Sequence, residues 1–337
     1  MSFWLSLITK EPIQSRFYID SNTDPMKAIQ IHQFGGAGEL KYEDAPKPVI
    51  GADEVLIKIY ATSINPVDWK VREGHMPGAE KRQFPIILGW DVSGVIEEVG
   101  KEVHNFKTGD EVYARPNVSK NGTYAEYVAV NAGEIALKPT SIDHIHAAAV
   151  PLAGLTAWQG LFDHGKLAAG QKVLIHAAAG GVGTYAVQLA KWKGAYVIGT
   201  SSEKNVEFLK GLGADQVIDY KKEDFSEKLR DIDVVFDLVG GDTQLQSLKV
   251  LKRGGILVST VGLTDQDAIK AKGIIGVQYM AQSIPDHLIQ LAKLIDEGKF
   301  KITIAEILPL SAAAEAHKKS QEGHTRGKIV LKVAEDQ

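Results

Sequence analysis

The sequence predicts a two-domain α/β protein, a small β-barrel or sandwich joined to a doubly wound parallel sheet. Three observations carry this. Residues 26–140 run as short, closely spaced strands punctuated by glycine turns, the pattern of small all-β units. After His146 the rhythm changes to apolar strands alternating with helical segments, which requires a parallel sheet covered on both faces. The first of those strands ends in a glycine-rich turn, Ala177-Ala178-Ala179-Gly180-Gly181-Val182-Gly183, with a helical pattern immediately after it. At 337 residues the chain is long enough for two such domains.

Taken in order, residues 1–25 read as an extension ahead of the folded body. Their apolar stretch is short, and neither a basic leader nor a small-residue cleavage site accompanies it, so a cytoplasmic location is the default expectation. The first strand opens at Met26. Val55, Ile57 and Ile59 alternate with Leu56, Lys58 and Tyr60, as in a partly buried strand. Residues 94–100 and 109–113 are further strands bounded by glycine turns, and residues 147–162 read as helical with a break near Pro151. Strands then fall at 172–175, 196–199, 216–218, 233–238 and 255–259, with helices through Val187 and Leu189 and through Val206 and Leu209. Residues 273–280 read as a last strand, whose apolar edge invites pairing with a second copy of the chain. A helix over 287–297, strands over 302–308 and 328–333, and a helix over 311–320 form a tail. That tail is expected to return to the first domain, because the doubly wound sheet is already complete.

Bulk properties narrow the function. The net charge of −4 gives no basic field for nucleic acid or an anionic membrane. No apolar run approaches the roughly 20 residues of a membrane helix. Cysteine is absent, which removes disulfides and any zinc site built on thiolates. His144 and His146 are the only close histidine pair. Two residues apart on a helix they point to nearly opposite sides, so they are expected to be solvated or capping residues rather than metal ligands.

The glycine turn carries the chemistry. Ala177-x-x-Gly180-x-x-Gly183 is a variant of the dinucleotide fingerprint with alanine at its first position. Small side chains let a phosphate approach the main chain, and the helix starting near Gly181 offers N–H groups and its positive dipole end. Ala179, Gly180, Gly181 and Val182 are therefore expected to bind cofactor. The second strand of the sheet ends Gly199-Thr200-Ser201-Ser202-Glu203-Lys204. An NAD-selective fold places a carboxylate at that strand end, whereas two hydroxyls and a lysine suit a ribose 2′-phosphate. Glu203 falls one or two places too late, so Ser201, Ser202 and Lys204 predict NADPH. Leu238, Val239, Val261 and Leu263 follow later strands, where open α/β sheets hold ligands.

Four stretches resemble the medium-chain dehydrogenase/reductase superfamily, most closely its zinc-free quinone oxidoreductase branch. They are Ser63-Ile64-Asn65-Pro66-Val67-Asp68-Trp69-Lys70; the barrel segment from Gly89-Trp90-Asp91 to Gly109-Asp110-Glu111-Val112; Pro151-Leu152-Ala153-Gly154-Leu155-Thr156-Ala157; and the closing Arg326-Gly327-Lys328-Ile329-Val330-Leu331. The resemblance implies a discontinuous GroES-like catalytic domain, residues 26–149 and 284–337, with a Rossmann domain, residues 150–283, inserted before the tail. The active site would lie in the cleft between them. Zinc-dependent relatives hold catalytic zinc with a cysteine and a histidine where this chain has Asn65 and Trp90. The resemblance also implies that Thr156 lies near the nicotinamide ribose, that Tyr220 helps hold the 2′-phosphate, and that the protein is a homodimer through the sheet edge.

Without a metal, reduction of an already electron-poor acceptor is the accessible chemistry. A quinone or α,β-unsaturated carbonyl spreads the arriving charge itself, and the protein needs chiefly to hold the two rings together and donate hydrogen bonds. Asn65 is the leading donor, with Thr156 the second catalytic candidate. Trp69, Trp90 and Tyr124 are expected to wall the acceptor pocket. The alternatives are an alkene reductase acting on enals, enones or enoyl thioesters, and a cofactor-binding protein without turnover.

Overall fold

The computed structural model describes residues 25–76, 79–117 and 122–335. The expected N-terminal extension lies outside them apart from Pro25, the first residue of the strand Pro25–Ile31.

Two sheets build the first domain. A three-stranded sheet has Pro25–Ile31 between Lys41–Pro46 and Ile86–Ile87. A seven-stranded sheet runs Ile304–Pro309, Lys328–Lys332, Glu54–Ser63, Val92–Val99, Glu111–Ala114, Ile135–Leu137, with Tyr127–Asn131 also pairing Glu54–Ser63. The tail does return: Val330 pairs with Ser63 and Leu331 with Thr62. The strand Glu54–Ser63 is more buried than its alternation suggests. Leu56 and Tyr60 are buried together with Val55, Ile57 and Ile59, because partner strands and neighbouring elements cover both faces. It pairs with three strands, and its register with Val92–Val99 shifts twice, which bends it around the barrel. Gly94 sits at that crowded crossing, where a Cβ would meet the Lys58 carbonyl oxygen at 2.1 Å.

The second domain is a six-stranded, all-parallel sheet. Its order is Gln216–Asp219, Tyr196–Ser201, Lys172–Ile175, Ile232–Asp237, Leu251–Ser259, Ile275–Gln278. The chain order reverses between Lys172–Ile175 and Ile232–Asp237, and a crevice opens beyond the carboxyl ends of the strands at such a switch point. Apolar clusters cover both faces: one around Val173, Val197, Leu189 and Phe236, the other around Leu174, Ile198, Ile218 and Leu257. Expected helices appear as Pro285–Asp296 and Ala313–Glu322, and the segment broken at Pro151 as His144–Ala148 and Pro151–Trp158. The two domains are stitched beside the switch point, where the Gly327 N–H donates to the Ala179 carbonyl at 3.0 Å.

Of the histidine pair, His146 contacts the capping Asp143. His144 departs from expectation. It is buried, its Nδ1 lies 2.7 Å from Ser93 Oγ, and its ring stacks on Tyr60.

Candidate active site between the two domains

The glycine turn is built from backbone. The strand Lys172–Ile175 delivers the chain to Ala177, which sits at φ 50°. Gly180 is extended, and the helix Gly181–Trp192 starts with no side chain capping it. Its first N–H groups therefore face the crevice. Gly183 is required by packing, since a Cβ there would lie 2.4 Å from the Ala177 carbonyl oxygen. Behind the turn His176 bridges Thr200 Oγ1 at 3.0 Å and Ser247 Oγ at 2.8 Å. Burial pushes its pKa down to about 4 despite nearby Asp237, so it braces the turn as a neutral ring.

Facing the turn is a cavity of about 750 Å³. Its barrel-side floor is a buried polar cluster. Asp91 Oδ2 accepts from Ser63 Oγ at 2.5 Å and Asn65 Nδ2 at 2.6 Å, and Asp91 Oδ1 accepts from the Leu152 N–H at 2.6 Å. The Lys328 ammonium donates to the Ile64 carbonyl at 2.9 Å, to Asn65 Oδ1 at 2.5 Å and to Asp91 Oδ2 at 3.3 Å. Lys328 is only 3% exposed and Asp91 0%, so each buried charge is neutralised by the other. The ammonium fixes which way the Asn65 amide points. One N–H is committed to Asp91, and the other has only a long 3.4 Å contact to the Ser63 carbonyl, which leaves it available to a ligand.

Asn65 opens the helix Pro66–Arg72, with Pro66 at its first position. The loop is held from behind. The Asn65 N–H donates to Asp68 Oδ2 at 2.7 Å, and Tyr124 donates to the same oxygen at 2.5 Å. Asp68 Oδ1 is buried without a partner. Burial pushes the Asp68 carboxyl up to about 7, the hydrogen bonds and Lys328 only partly opposing it. His317 Nε2 lies 3.3 Å from the Tyr124 hydroxyl, and His317 Nδ1 lies 3.0 Å from Arg72 Nη1. Because arginine can only donate, the proton of His317 is on Nε2, facing Tyr124.

Of the residues singled out from sequence, Asn65, Trp90, Thr156, Gly180, Gly181, Val182, Leu238 and Val261 line this cavity. Thr156 Oγ1 donates to the Leu152 carbonyl at 2.6 Å, which turns its lone pairs outward. Others are placed differently. Tyr124 is fully buried one layer behind Asn65, its hydroxyl held by Asp68, and it walls no acceptor pocket. Trp69 misses the cavity as well, because Pro66, Val67, Lys70 and Val71 present the other face of their helix to it. Leu263, partly buried, packs against the apolar cluster on one face of the sheet, and Val239 is half exposed outside the lining. Ala179 is buried with its carbonyl committed to Gly327, and Ser201 is buried with its hydroxyl on the Ser202 carbonyl. Ser202, Lys204 and Tyr220 are not among the residues lining the cavity.

Four functional candidates escaped the sequence reading: Asp91, Lys328, Arg326 and Arg115. Arg326 Nε donates to Asn205 Oδ1 at 2.9 Å and its Nη2 to the Lys204 carbonyl at 3.0 Å, while the guanidinium lies over the Phe208 ring. It therefore brings a positive charge from the tail to the end of the second parallel strand. Glu203 follows that strand's end at Ser201 and pairs with Lys222 at 2.7 Å. A signal existed for Lys328, a lysine just after a glycine that leads directly into the apolar run Ile329-Val330-Leu331.

A family model described as an alcohol dehydrogenase GroES-like domain matches residues 51–140, and one described as a zinc-binding dehydrogenase matches residues 212–331. The human mitochondrial NAD(P)H oxidoreductase RTN4IP1 is 34% identical, over 98% of this chain and 95% of its own. The chain belongs to the medium-chain dehydrogenase/reductase superfamily. It falls among the quinone oxidoreductase-like members and is an oxidoreductase with a nicotinamide-cofactor domain. A chloroplastic NADPH-dependent alkenal/one oxidoreductase of Arabidopsis thaliana is 37% identical, over 91% of this chain and 79% of its own. The quinone oxidoreductase structure from Coxiella burnetii superposes with a TM-score of 0.88 at 42% identity, covering 92% of this chain and all of the other. No helix among the described residues is long and apolar enough to cross a membrane.

The superfamily's catalytic zinc does not fit here. Its ligand positions hold an amide already locked between an ammonium and a carboxylate, and an indole. The Lys328 ammonium stands within 2.5 Å of Asn65 Oδ1, where a second cation would be repelled. Among the described residues no three His, Asp or Glu side chains gather as a metal site would need.

Proposed function

We propose that this oxidoreductase is an NADPH-dependent reductase that passes hydride, without metal assistance, to a quinone or similarly activated carbonyl acceptor. One observation carries the reading: the cavity sets the uncapped helix at Gly181 opposite an Asn65 amide that Lys328 holds in one orientation. The residues fit the cofactor. The glycine turn would hold the pyrophosphate, and Arg326, with Ser202 and Lys204 beside it, would hold the 2′-phosphate, since a planar guanidinium matches phosphate geometry. Glu203, drawn to Lys222, leaves that position without the carboxylate that would favour NADH.

Bound dihydronicotinamide supplies the hydride. The chain's own residues supply placement and polarisation. Thr156 offers lone pairs to the cofactor, Trp90 gives a flat wall, and the second Asn65 N–H donates to the oxygen that gains charge. Lys328 hydrogen-bonded to the amide oxygen strengthens that donor.

Incubation with NADPH and a panel of quinones tests this. The expected result is acceptor-dependent NADPH oxidation with a lower KM for NADPH than for NADH. Oxidation no faster than without enzyme defeats the quinone version. The alkene-reductase reading shares the hydride step and draws support from the Arabidopsis relative's name. Pairing through Ile275–Gln278, where Ile275 is exposed, would make the protein a homodimer, which sedimentation at micromolar concentration checks.

A further inference from the structure

The cavity wall is charged in one sense only. Among the described residues its lining includes Lys70, Arg82, Arg115 and Lys328 and no Asp or Glu, although the chain as a whole has 42 acids against 38 lysines and arginines. Lys328 is neutralised by Asp91, and Lys70 lies over the Trp69 ring. Arg115 is the informative one. It follows the strand Glu111–Ala114, whose Ala114 pairs with Val92 just after Trp90, so it belongs to the barrel side of the cavity, away from the glycine turn.

Its setting is that of a fork with one side unfilled. Nη1 donates to Ser283 Oγ at 3.2 Å, and Ser283 in turn donates to the Arg115 carbonyl. The Nε–H is buried and has no partner. Asp91 and Glu134 act on the guanidinium only through space, and burial lowers its pKa. A charged N–H is costly to leave unpaired, and the Nη2 group, which has no hydrogen bond to the described residues and is not sealed like Nε, suits an oxygen of a carboxylate or phosphate. A wholly neutral acceptor would leave that cationic group without a counter-charge.

We propose that Arg115 anchors an anionic group on the acceptor, so that the substrate class is a conjugated carbonyl compound bearing a carboxylate or phosphate. This deepens the reductase reading and rests on it. Hydride from NADPH forms a C–H bond at the electrophilic carbon, the conjugated pair moves to the carbonyl oxygen, and a proton from water completes the product as NADPH becomes NADP⁺. Lys70 and Arg82 at the same wall add attraction for the anion without fixing its geometry.

Two matched pairs separate the carboxylate from the phosphate source. One is 4-oxopent-2-enoate and its methyl ester; the other is crotonyl-coenzyme A and crotonyl-N-acetylcysteamine. The expected result is a kcat/KM about 10- to 100-fold higher for the charged member of one pair, the size of a charge-assisted hydrogen-bonded contact. That pair identifies the anion, and Arg115→Met brings its ratio close to one, with Arg115→Lys intermediate. Ratios near one in both pairs, or ratios that Arg115→Met leaves alone, overturn the proposal. Calorimetry on NADP⁺-loaded protein gives a readout independent of turnover, with the saturated counterparts 4-oxopentanoate and butyryl-coenzyme A titrated against their uncharged partners. Charge-selective binding lost in Arg115→Met supports the anchor even when no acceptor is reduced, a result that would sink the reductase reading instead. Binding without charge selectivity overturns the anchor.

Discussion

The two halves of the cavity are made of different materials. The nucleotide-domain half is mostly backbone: an extended Gly180, an uncapped helix start and a Gly183 pressed against Ala177. The barrel half is side chains, with Asn65, Asp91 and Lys328 locked together and Asp68 bracing them from behind. Backbone sites fail by steric intrusion, and side-chain sites fail by lost charge balance. Each half therefore predicts its own way of breaking.

The largest effect on cofactor binding belongs to the backbone half. Gly183→Ala puts a Cβ against backbone atoms of Ala177 and Ala178 that no flexible side chain can relieve. The turn must open, and we expect NADPH affinity to fall more than about 100-fold, comparable with loss of a whole phosphate cradle. Fluorescence titration measures it; an affinity within a few-fold of the parent would mean the turn is not the cradle.

In the side-chain half, Lys328→Met leaves Asp91 charged and buried with no cation in contact. Breaking such a pair costs about 3–5 kcal/mol. Removing both charges in Lys328→Met/Asp91→Asn should recover a large part of the loss in urea denaturation. If the double variant is no more stable than the single, the pairing account is wrong.

Asp68 gives a smaller, pH-dependent effect. The unfolded chain releases this proton near 4, while the folded chain keeps it to about 7. Between those values the folded state binds more protons, so this group's contribution to stability falls as pH rises. Asp68→Asn mimics the neutral form, since its one oxygen can still accept from Asn65 and Tyr124. Relative to the variant, the parent should lose about 2–3 kcal/mol between about pH 5 and pH 8. Parallel stability curves would contradict the buried, unpaired Oδ1. The smallest effect is at the rim: Arg326→Gln should raise the NADPH KM about tenfold, one charged contact's worth, with little change for NADH. Equal changes for both cofactors would remove Arg326 from 2′-phosphate recognition.

The same division explains what could be read from the sequence. A glycine fingerprint between a strand and a helix is a local pattern, and Gly180, Gly181 and Val182 line the cavity. The parallel sheet and the returning tail were legible for the same reason: period and punctuation lie along the chain. The polar cluster was not. Ser63 meets Asp91 through the pairing of Glu54–Ser63 with Val92–Val99, and Lys328 joins them only because Lys328–Lys332 closes onto Glu54–Ser63, a contact across more than half the chain. Tyr124 shows the limit from the other side. It is expected to wall the acceptor pocket, but Asp68 and His317, from two distant elements, enclose its hydroxyl.

The central claim is that reduced nicotinamide meets a reactive acceptor in a site organised by the Lys328 ammonium. The most direct measurement is the rate of NADPH loss with an activated acceptor before and after exhaustive washing with a chelator. The account predicts acceptor-dependent oxidation well above the enzyme-free rate and unchanged by washing. Activity that vanishes on washing and returns with added metal would contradict it.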